Sequence, residues 1–346
     1  MIMENISWNE TGEEFRYRPP FQRQIVPTQI VMPLIQGLIG VIGVVGNSMV
    51  VYVLCTRLKQ RGNMNVLLMN LAIADFFFII FCVPVNASYH ALYEWPFGEA
   101  FCKITHYVKN ITAYVSIYSL CAVSITRYLT VVKSAKSSHL RTKRSAIISA
   151  VLLWLIIATA NIPVMKIYFT ITMRLDRFTS KTICSYQKNS KDMEILTATF
   201  FTMSYAIPVI IICLTHILIL VHITKNSSNI TASSIQRRKN ASRIIIGTTI
   251  AFAICWLPMN ILMMMVHCFK MERKGFMIPA LIAECMSYAN SCTNPIVYNF
   301  VSKDFRTALG QSIGLCSHIQ LPTNEPSHTG TLTTKVASSK NGESVC

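Results

Sequence analysis

Charge is what this sequence has least of. Only 14% of its 346 residues are charged, against about 25% in soluble globular proteins. Acids are the scarcer sign, 15 against 32 bases. So few charges exclude an ordinary water-soluble domain. Paired cysteine motifs are missing as well. The twelve cysteines contain no Cys-x-x-Cys, which removes the ligand spacing of a structural metal site. No nucleophile–base pair or metal-ligating cluster stands out, so enzyme chemistry is not expected. There is no internal repeat and no pair of Gly/Pro-broken helices of the transporter kind. One buried carboxylate without a second acidic site or a continuous polar stripe also argues against a channel or transporter. The first thirty residues hold no apolar stretch ending in a small-residue cleavage site, so no cleaved leader is expected.

Apolar residues are abundant instead, at 52%. They gather into seven runs, each long enough to cross a bilayer as a helix of about 20 residues. The runs are Ile30–Cys55, Val66–Tyr89, Phe101–Val132, Ser145–Met165, Ile195–Ile223, Ile244–Cys268 and Phe276–Phe300. The third and fifth exceed the minimum, which predicts tilt or extension into the cytoplasm. The fold class is therefore all-α: a seven-transmembrane helix bundle. Its domains are a tail over 1–29, the bundle over 30–301, a short amphipathic membrane-surface helix over 302–315 and a disordered tail over 316–346.

Lysines and arginines set the orientation. Arg57, Lys59 and Arg61 follow the first run; Lys133, Lys136, Arg141, Lys143 and Arg144 follow the third; Lys225, Arg237, Arg238, Lys239 and Arg243 precede the sixth. These connections share one side, and the positive-inside rule makes it cytoplasmic. Seven crossings then place the N-terminus outside and the C-terminus inside, in a multi-pass plasma-membrane protein. The net charge of +17 is read as this topology signal. A nucleic-acid partner would need the bases on one folded face, so none is expected.

Two cysteines stand outside the helix interiors. Cys102 opens the third run at the outer face, and Cys184 lies in the outer loop between runs four and five. Both face an oxidising compartment, which permits a bridge across the mouth of the bundle; the alternative is two unpaired thiols. Asn5 and Asn9 carry glycosylation sequons in the outer tail, whereas Asn86 lies at the membrane edge. Polar residues inside the runs are expensive and turn inward. Asn47, Asp75, Ser116, Asn290, Ser291 and Asn294 can converge in this way. Such a set suits a sodium ion or a protonated acid held by hydrogen bonds, and equally a purely structural network. Pro84, Pro163, Pro208, Pro258 and Pro295 predict kinks.

The motifs are Gly46-Asn47, Leu71-Ala-Ile-Ala-Asp75, Trp95-Pro-Phe-Gly98 before Cys102, Ser124-Ile-Thr-Arg-Tyr128, Trp154, Pro208, Phe252-Ala-Ile-Cys-Trp-Leu-Pro258 and Asn294-Pro-Ile-Val-Tyr298. In this order and at these positions they resemble the rhodopsin-like family of G-protein-coupled receptors, in register from Ile30 to Gln311. Within it the chain is most similar to peptide receptors of the galanin and allatostatin-A type. The similarity is carried by Trp95-Pro-Phe-Gly-Glu-Ala-Phe-Cys-Lys103, Thr112-Ala-Tyr-Val-Ser-Ile-Tyr118 and Arg127-Tyr-Leu-Thr-Val-Val132.

The resemblance implies roles. Arg127, beside Tyr128, would meet the G-protein α subunit once released by activation. The family's restraining acid is replaced by Thr126, which implies a looser resting state. His216 replaces a tyrosine that contacts the arginine region, while Tyr298 is in place. Trp256 would be the pivot under the ligand, with Phe252 beneath it and Pro258 as the hinge. Lys109 stands where amine receptors carry an aspartate, and Tyr288 where opsins carry their retinal lysine, so neither ligand fits. Lys109 is expected to pair with Glu284, and His106, Tyr114, Trp256, His267 and Tyr288 to form an aromatic cage. The basic outer residues Lys166, Arg174, Arg177, Lys181, Lys188, Lys191, Lys270, Arg273 and Lys274 favour an anionic ligand. An extracellular neuropeptide is the first expectation; an acidic small molecule, a nucleotide or a lipid is the alternative. Implied partners are a G protein of the Gi/o class, membrane lipids, and arrestin with receptor kinases at the Ser/Thr-rich tail. Cys316 is a candidate for palmitoylation. No cofactor is expected beyond the allosteric sodium.

Overall fold

A computed structural model describes residues 27–56, 62–133, 137, 142–174, 180–187, 190–225, 232–272, 275–301 and 303–312, with side chains left out at 232–241, 303 and 304. Asn5, Asn9, Cys316 and the basic residues Arg57, Lys59, Arg61, Lys136, Arg141, Arg177, Lys188, Arg273 and Lys274 lie outside the described residues.

Hydrocarbon offers the backbone no hydrogen bonds, so an apolar run has to satisfy its own amides, and helices do so. The first three crossings are α1 (Thr28–Thr56), α2 (Asn63–Leu92) and α3 (Gly98–Val131). The fourth is α4 (Lys143–Ala160), capped where the Thr142 hydroxyl accepts from the Ser145 amide at 3.0 Å. The expected fourth run continued to Met165, but the helix stops at Ala160. Pro163 disfavours helical geometry in the residue before it, and it sits ahead of the single turn α5 (Val164–Ile167) instead of kinking a crossing.

The fifth crossing is three pieces: α6 (Lys191–Phe200), a π-helical turn (Phe201–Ala206) and α7 (Ile207–Lys225). Ser190 caps it by accepting from the Met193 amide at 3.1 Å. Asp192 and Glu194 in its first turn complement the positive end of the helix. The π-turn directly precedes Pro208 and absorbs the break expected there. The sixth crossing is α8 (Ala232–His267), which begins twelve residues before the apolar run does. The seventh is α9 (Met277–Val301). Pro84, Pro258 and Pro295 lie inside α2, α8 and α9, and Pro33, passed over in the sequence, lies inside α1.

Six described segments are long and apolar enough to span a membrane on their own composition. The exception among the crossings is α9, whose polar residues Ser287, Asn290, Ser291 and Asn294 are buried against its neighbours. Two glycines of α1 allow that close packing. A Cβ at Gly43 would collide with Ile79 of α2, and one at Gly46 would stand 2.9 Å from Pro295 of α9.

The connection between α5 and α6 is an antiparallel hairpin, β1 (Tyr168–Arg174) with β2 (Ser180–Tyr186). Both strands carry β-branched Thr and Ile, which suit extended backbone. Cys102 and Cys184 are joined with Cα atoms 5.7 Å apart, and the Trp95 amide donates to the Thr182 carbonyl at 2.7 Å. The hairpin is thereby held to the start of α3 and to the turn before it. At the other end α10 (Lys303–Ser312) packs Phe305 and Ala308 against Val50, Val53 and Leu54 of α1. Arg306 donates to the last carbonyls of α9, at 2.6 Å to Phe300 and 3.1 Å to Asn299.

Asn70 ties three crossings. It accepts from the Trp154 indole at 2.9 Å and donates to the Ser119 hydroxyl at 2.8 Å. An Asn70→Leu variant leaves the indole N–H and the hydroxyl without that amide, which costs about 1–3 kcal/mol for a buried polar group. Its thermal midpoint in lipid nanodiscs is expected to fall, and an unchanged midpoint would show that the bridge contributes nothing.

Candidate functional site

The five expected cage residues do not form one cage. His106 of α3 stacks on Tyr168 of β1 with centroids 3.6 Å apart and planes 5° from parallel. Tyr168 meets Tyr186 of β2 edge-on at 6.0 Å, and Tyr186 meets His267 of α8 at 5.1 Å. The two histidines are thus linked through tyrosines of the hairpin. Both tyrosines lie on the hairpin and not on a crossing, which is why aromatic residues of the apolar runs alone do not point to them. A second layer lies within the bundle: Tyr114 contacts Phe200 at 5.4 Å, Phe200 contacts Trp256 at 5.7 Å, and Trp256 contacts Phe252 at 6.1 Å. Phe252 stacks on Tyr205 of the π-turn at 6.2 Å, and the Tyr205 hydroxyl donates to the Ala253 carbonyl at 3.2 Å. Tyr288 stands apart from both layers. Only 2% exposed, it sets its ring edge-on to Phe78 of α2 at 5.2 Å.

The expected pairing of Lys109 with Glu284 is indirect: the two attract each other, and the Tyr288 hydroxyl that accepts from Lys109 is itself in hydrogen-bond contact with Glu284. Among the described ion pairs none joins them. One oxygen of Glu284 accepts from the Asn86 amide at 2.9 Å, and the other lies 3.2 Å from Nε2 of His90. An ionised carboxylate only accepts, so Nε2 carries the hydrogen. Lys109 donates to the Tyr288 hydroxyl at 3.3 Å and stands 4.9 Å from the centre of that ring. Neither Asn86 nor His90 was singled out as a partner. The one available signal was spacing, since residues 86 and 90 share a face of α2. Of the basic rim, Lys181 lies 3.1 Å over the Tyr93 ring, and Lys270 is paired with Glu194.

Deeper in the bundle the polar set converges on Asp75 of α2. One carboxylate oxygen accepts from Ser116 of α3 at 3.2 Å and from Ser291 of α9 at 3.1 Å. The other accepts from the Asn294 amide at 2.6 Å. Asn47 of α1 is one step removed: its amide donates to the Ser291 carbonyl at 2.8 Å and to the Gly43 carbonyl at 3.0 Å. A cavity of about 10 Å³ lies beside Asp75, Ser116, Ser291, Asn290 and Trp256.

At the end of the bundle away from the hairpin, Arg127 is half-buried near the close of α3, and the carbonyl of Thr126 accepts from the Thr130 hydroxyl at 2.7 Å. Tyr128 packs with Val131, Ile219 and Ile223, on the α7 side. Nδ1 of His216 lies 2.8 Å from the Ile212 carbonyl and 3.2 Å from the Ser124 hydroxyl. A carbonyl only accepts, so Nδ1 carries the hydrogen and buried Nε2 is left as an acceptor without a partner. Ser124 also bonds Thr215 at 2.6 Å. Tyr298 is buried with its ring 6.1 Å from Phe305 of α10, and its hydroxyl has no hydrogen-bond partner among the described residues. Tyr298 thus packs toward α10, and His216 bonds toward α3.

Comparison with known proteins agrees with this geometry. Residues 46–298 match the 7 transmembrane receptor (rhodopsin family). The Allatostatin-A receptor of Bombyx mori is 31% identical over 281 residues, 80% of this chain and 78% of that one. Galanin receptor 2b of Danio rerio is 34% identical over 289 residues, covering 82% and 75%. Galanin receptor type 1 of Homo sapiens is 32% identical over 281 residues, covering 80% and 79%. The matched span runs from the later part of α1 to near the end of α9 and holds Asp75 with its hydrogen-bond donors and both ends of the aromatic layers. The chain belongs to the rhodopsin family of seven-transmembrane receptors, a family of receptors and not of enzymes.

Proposed function

We propose that this receptor binds an extracellular neuropeptide at the mouth formed by the hairpin, α3, α8 and α9, and activates a heterotrimeric G protein of the Gi/o class on its cytoplasmic side. The observation that carries the reading is the relatives' identity of 31–34% over about four-fifths of the chain, all of them named as allatostatin-A or galanin receptors. The orientation follows the cytoplasmic lysines and arginines. Ligand contacts would fall on His106, Lys109, His267, Glu284 and the hairpin tyrosines, with Tyr114, Trp256 and Tyr288 beneath. An acidic small molecule is the second reading, favoured by Lys109, whose described hydrogen-bond acceptor is the Tyr288 hydroxyl.

The ligand works by binding one arrangement of the bundle more tightly than the other. In the active arrangement α8 swings outward about Pro258, below the Trp256–Phe252 pair, and Arg127 becomes available to the G protein. Tyr128, Tyr298 and His216 then re-partner around it. Serines and threonines of the tail, beyond the described residues, would take phosphates from receptor kinases and so recruit arrestin. Membrane lipid surrounds the apolar outer faces and would anchor Cys316 if that residue is acylated.

The Asp75 site fits a sodium ion. A hard cation takes oxygen ligands, and the Asp75 carboxylate with the Ser116 and Ser291 hydroxyls provides them beside a cavity that holds about one water-sized particle. When bound, the ion neutralises the carboxylate and favours the arrangement in which these three residues stay together. Exchanging choline chloride for sodium chloride is expected to stabilise the wild type, by about 1 kcal/mol at five times the dissociation constant. Asp75→Asn should lose that response. A sodium-dependent thermal midpoint that survives in Asp75→Asn contradicts the assignment.

The receptor reading is tested by GDP release from Gi in nanodiscs, with allatostatin-A peptides, galanin and acidic small molecules as candidate agonists. A peptide is expected to accelerate release, and Arg127→Ala to abolish the acceleration. Thr126→Asp should lower agonist-free release about five-fold, the equivalent of about 1 kcal/mol for a partly wet ion pair. Equal basal rates in Thr126→Asp and wild type would show that the missing acid is not what loosens the resting state. Acceleration by small acids alone would favour the second reading.

A further inference from the structure

The register of the hairpin fixes which of its backbone groups are already bonded. In an antiparallel pair, residues that exchange ladder bonds alternate with residues whose N–H and C=O point away from the partner strand. Thr182 is of the second kind, because its carbonyl accepts from the Trp95 amide, which lies beyond β2 and not on β1. The hydroxyls of Thr172 and Thr182 meet across this pair at 3.0 Å, as expected where facing side chains stand closest. Two residues on, Cys184 also turns its N–H and C=O away from β1. Among the described residues neither group has a backbone hydrogen-bond partner.

That free edge faces the mouth. β1 is the strand that packs on α3 and α5. β2 passes Trp95, in the turn between α2 and α3, and ends at Tyr186 against His267 at the close of α8. It thus crosses the end of the bundle with β1 on its α3 side, and its other edge looks toward α9, which packs against α8, α1 and α2. An open strand edge is a template for another backbone. The occupant has to offer main-chain amides in extended form, which a small acid lacks. A second receptor cannot supply them, since the edge is turned to this bundle's own mouth and not to lipid.

We propose that the peptide ligand adds to the hairpin as a third strand, its backbone paired with the N–H and C=O of Cys184. This deepens the assignment of the mouth as the ligand site and rests on it. The side chains of Cys184 and Tyr186 turn to the bundle, through the disulfide to α3 and the contact with His267. Every second side chain of the added strand points the same way, so specificity falls on alternate ligand positions.

Residue-resolved amide exchange on the full chain in nanodiscs tests this. In the free receptor Cys184 is expected to exchange about ten-fold faster than Ile183, whose amide points at β1. An allatostatin-A peptide or galanin that accelerates GDP release should slow exchange at Cys184 by about the same factor. N-methylation along that peptide should cost about ten-fold in potency at alternate residues of one stretch and little between them, the scale of a lost backbone bond. Protection of Cys184 equal to that of Ile183 in the free receptor overturns the proposal; if deleting residues 1–26 removes that protection, the chain's own N-terminal segment is the occupant. An activating peptide that leaves Cys184 exchanging freely, or an N-methyl scan without the two-residue period, overturns it while the receptor reading stands. Failure of every peptide to accelerate GDP release overturns the peptide-receptor reading, and the proposal with it.

Discussion

A carboxylate in the middle of a bilayer needs hydrogen bonds, and Asp75 sets the arrangement of this bundle by demanding them. Removing an ionised group from water is expensive unless it is fully partnered. Its donors come from α3 and α9, and Asn47 of α1 reaches the same point through the Ser291 carbonyl. Four of the seven crossings are therefore fixed to one another by a single side chain and its partners. Lipid cannot supply such specificity, because the apolar faces are equally content against acyl chains. Close approach at Gly43 and Gly46 lets α1 reach the network at all.

The same constraint explains the form of α9. Its polar face makes it a poor membrane helix by composition, and the network makes it a good one in place. From this centre two chains of contact run outward. The aromatic layer from Tyr114 to Tyr205 passes through Trp256, whose indole borders the cavity beside Asp75. It links α3 to α8, where Tyr205 is bonded to the Ala253 carbonyl. Above it, the disulfide and the Trp95–Thr182 bond hold the hairpin over α3, so that loop tyrosines can complete an aromatic link between His106 and His267.

Much of this was legible in the sequence because lipid imposes simple rules. Apolar length gave the crossings, basic loops the expected orientation, and intramembrane polar residues the set that meets at Asp75. Other features depend on what a residue faces, which a linear pattern does not encode. Asn86 looked like a marginal sequon and proves to be a ligand of Glu284. Lys109 and Glu284 were matched by charge, whereas the structure joins them through Tyr288 and gives Glu284 direct donors on α2. Asn47 was placed around Asp75 and bonds to a neighbouring carbonyl instead. Pro163 read as a kink because the apolar run continues past it, while the backbone had already left the helix. The π-turn has no composition signal beyond the proline that follows it.

The central claim is that a bundle tied at Asp75 turns occupancy at its outer mouth into movement at its inner face. The most direct measurement is the distance between spin labels at the cytoplasmic ends of α2 and α8, by pulsed dipolar spectroscopy on full-length receptor in nanodiscs. Engagement of nucleotide-free Gi is expected to lengthen that distance by several ångströms, as α8 moves about Pro258. A distance unchanged while the G protein is demonstrably bound would contradict the account.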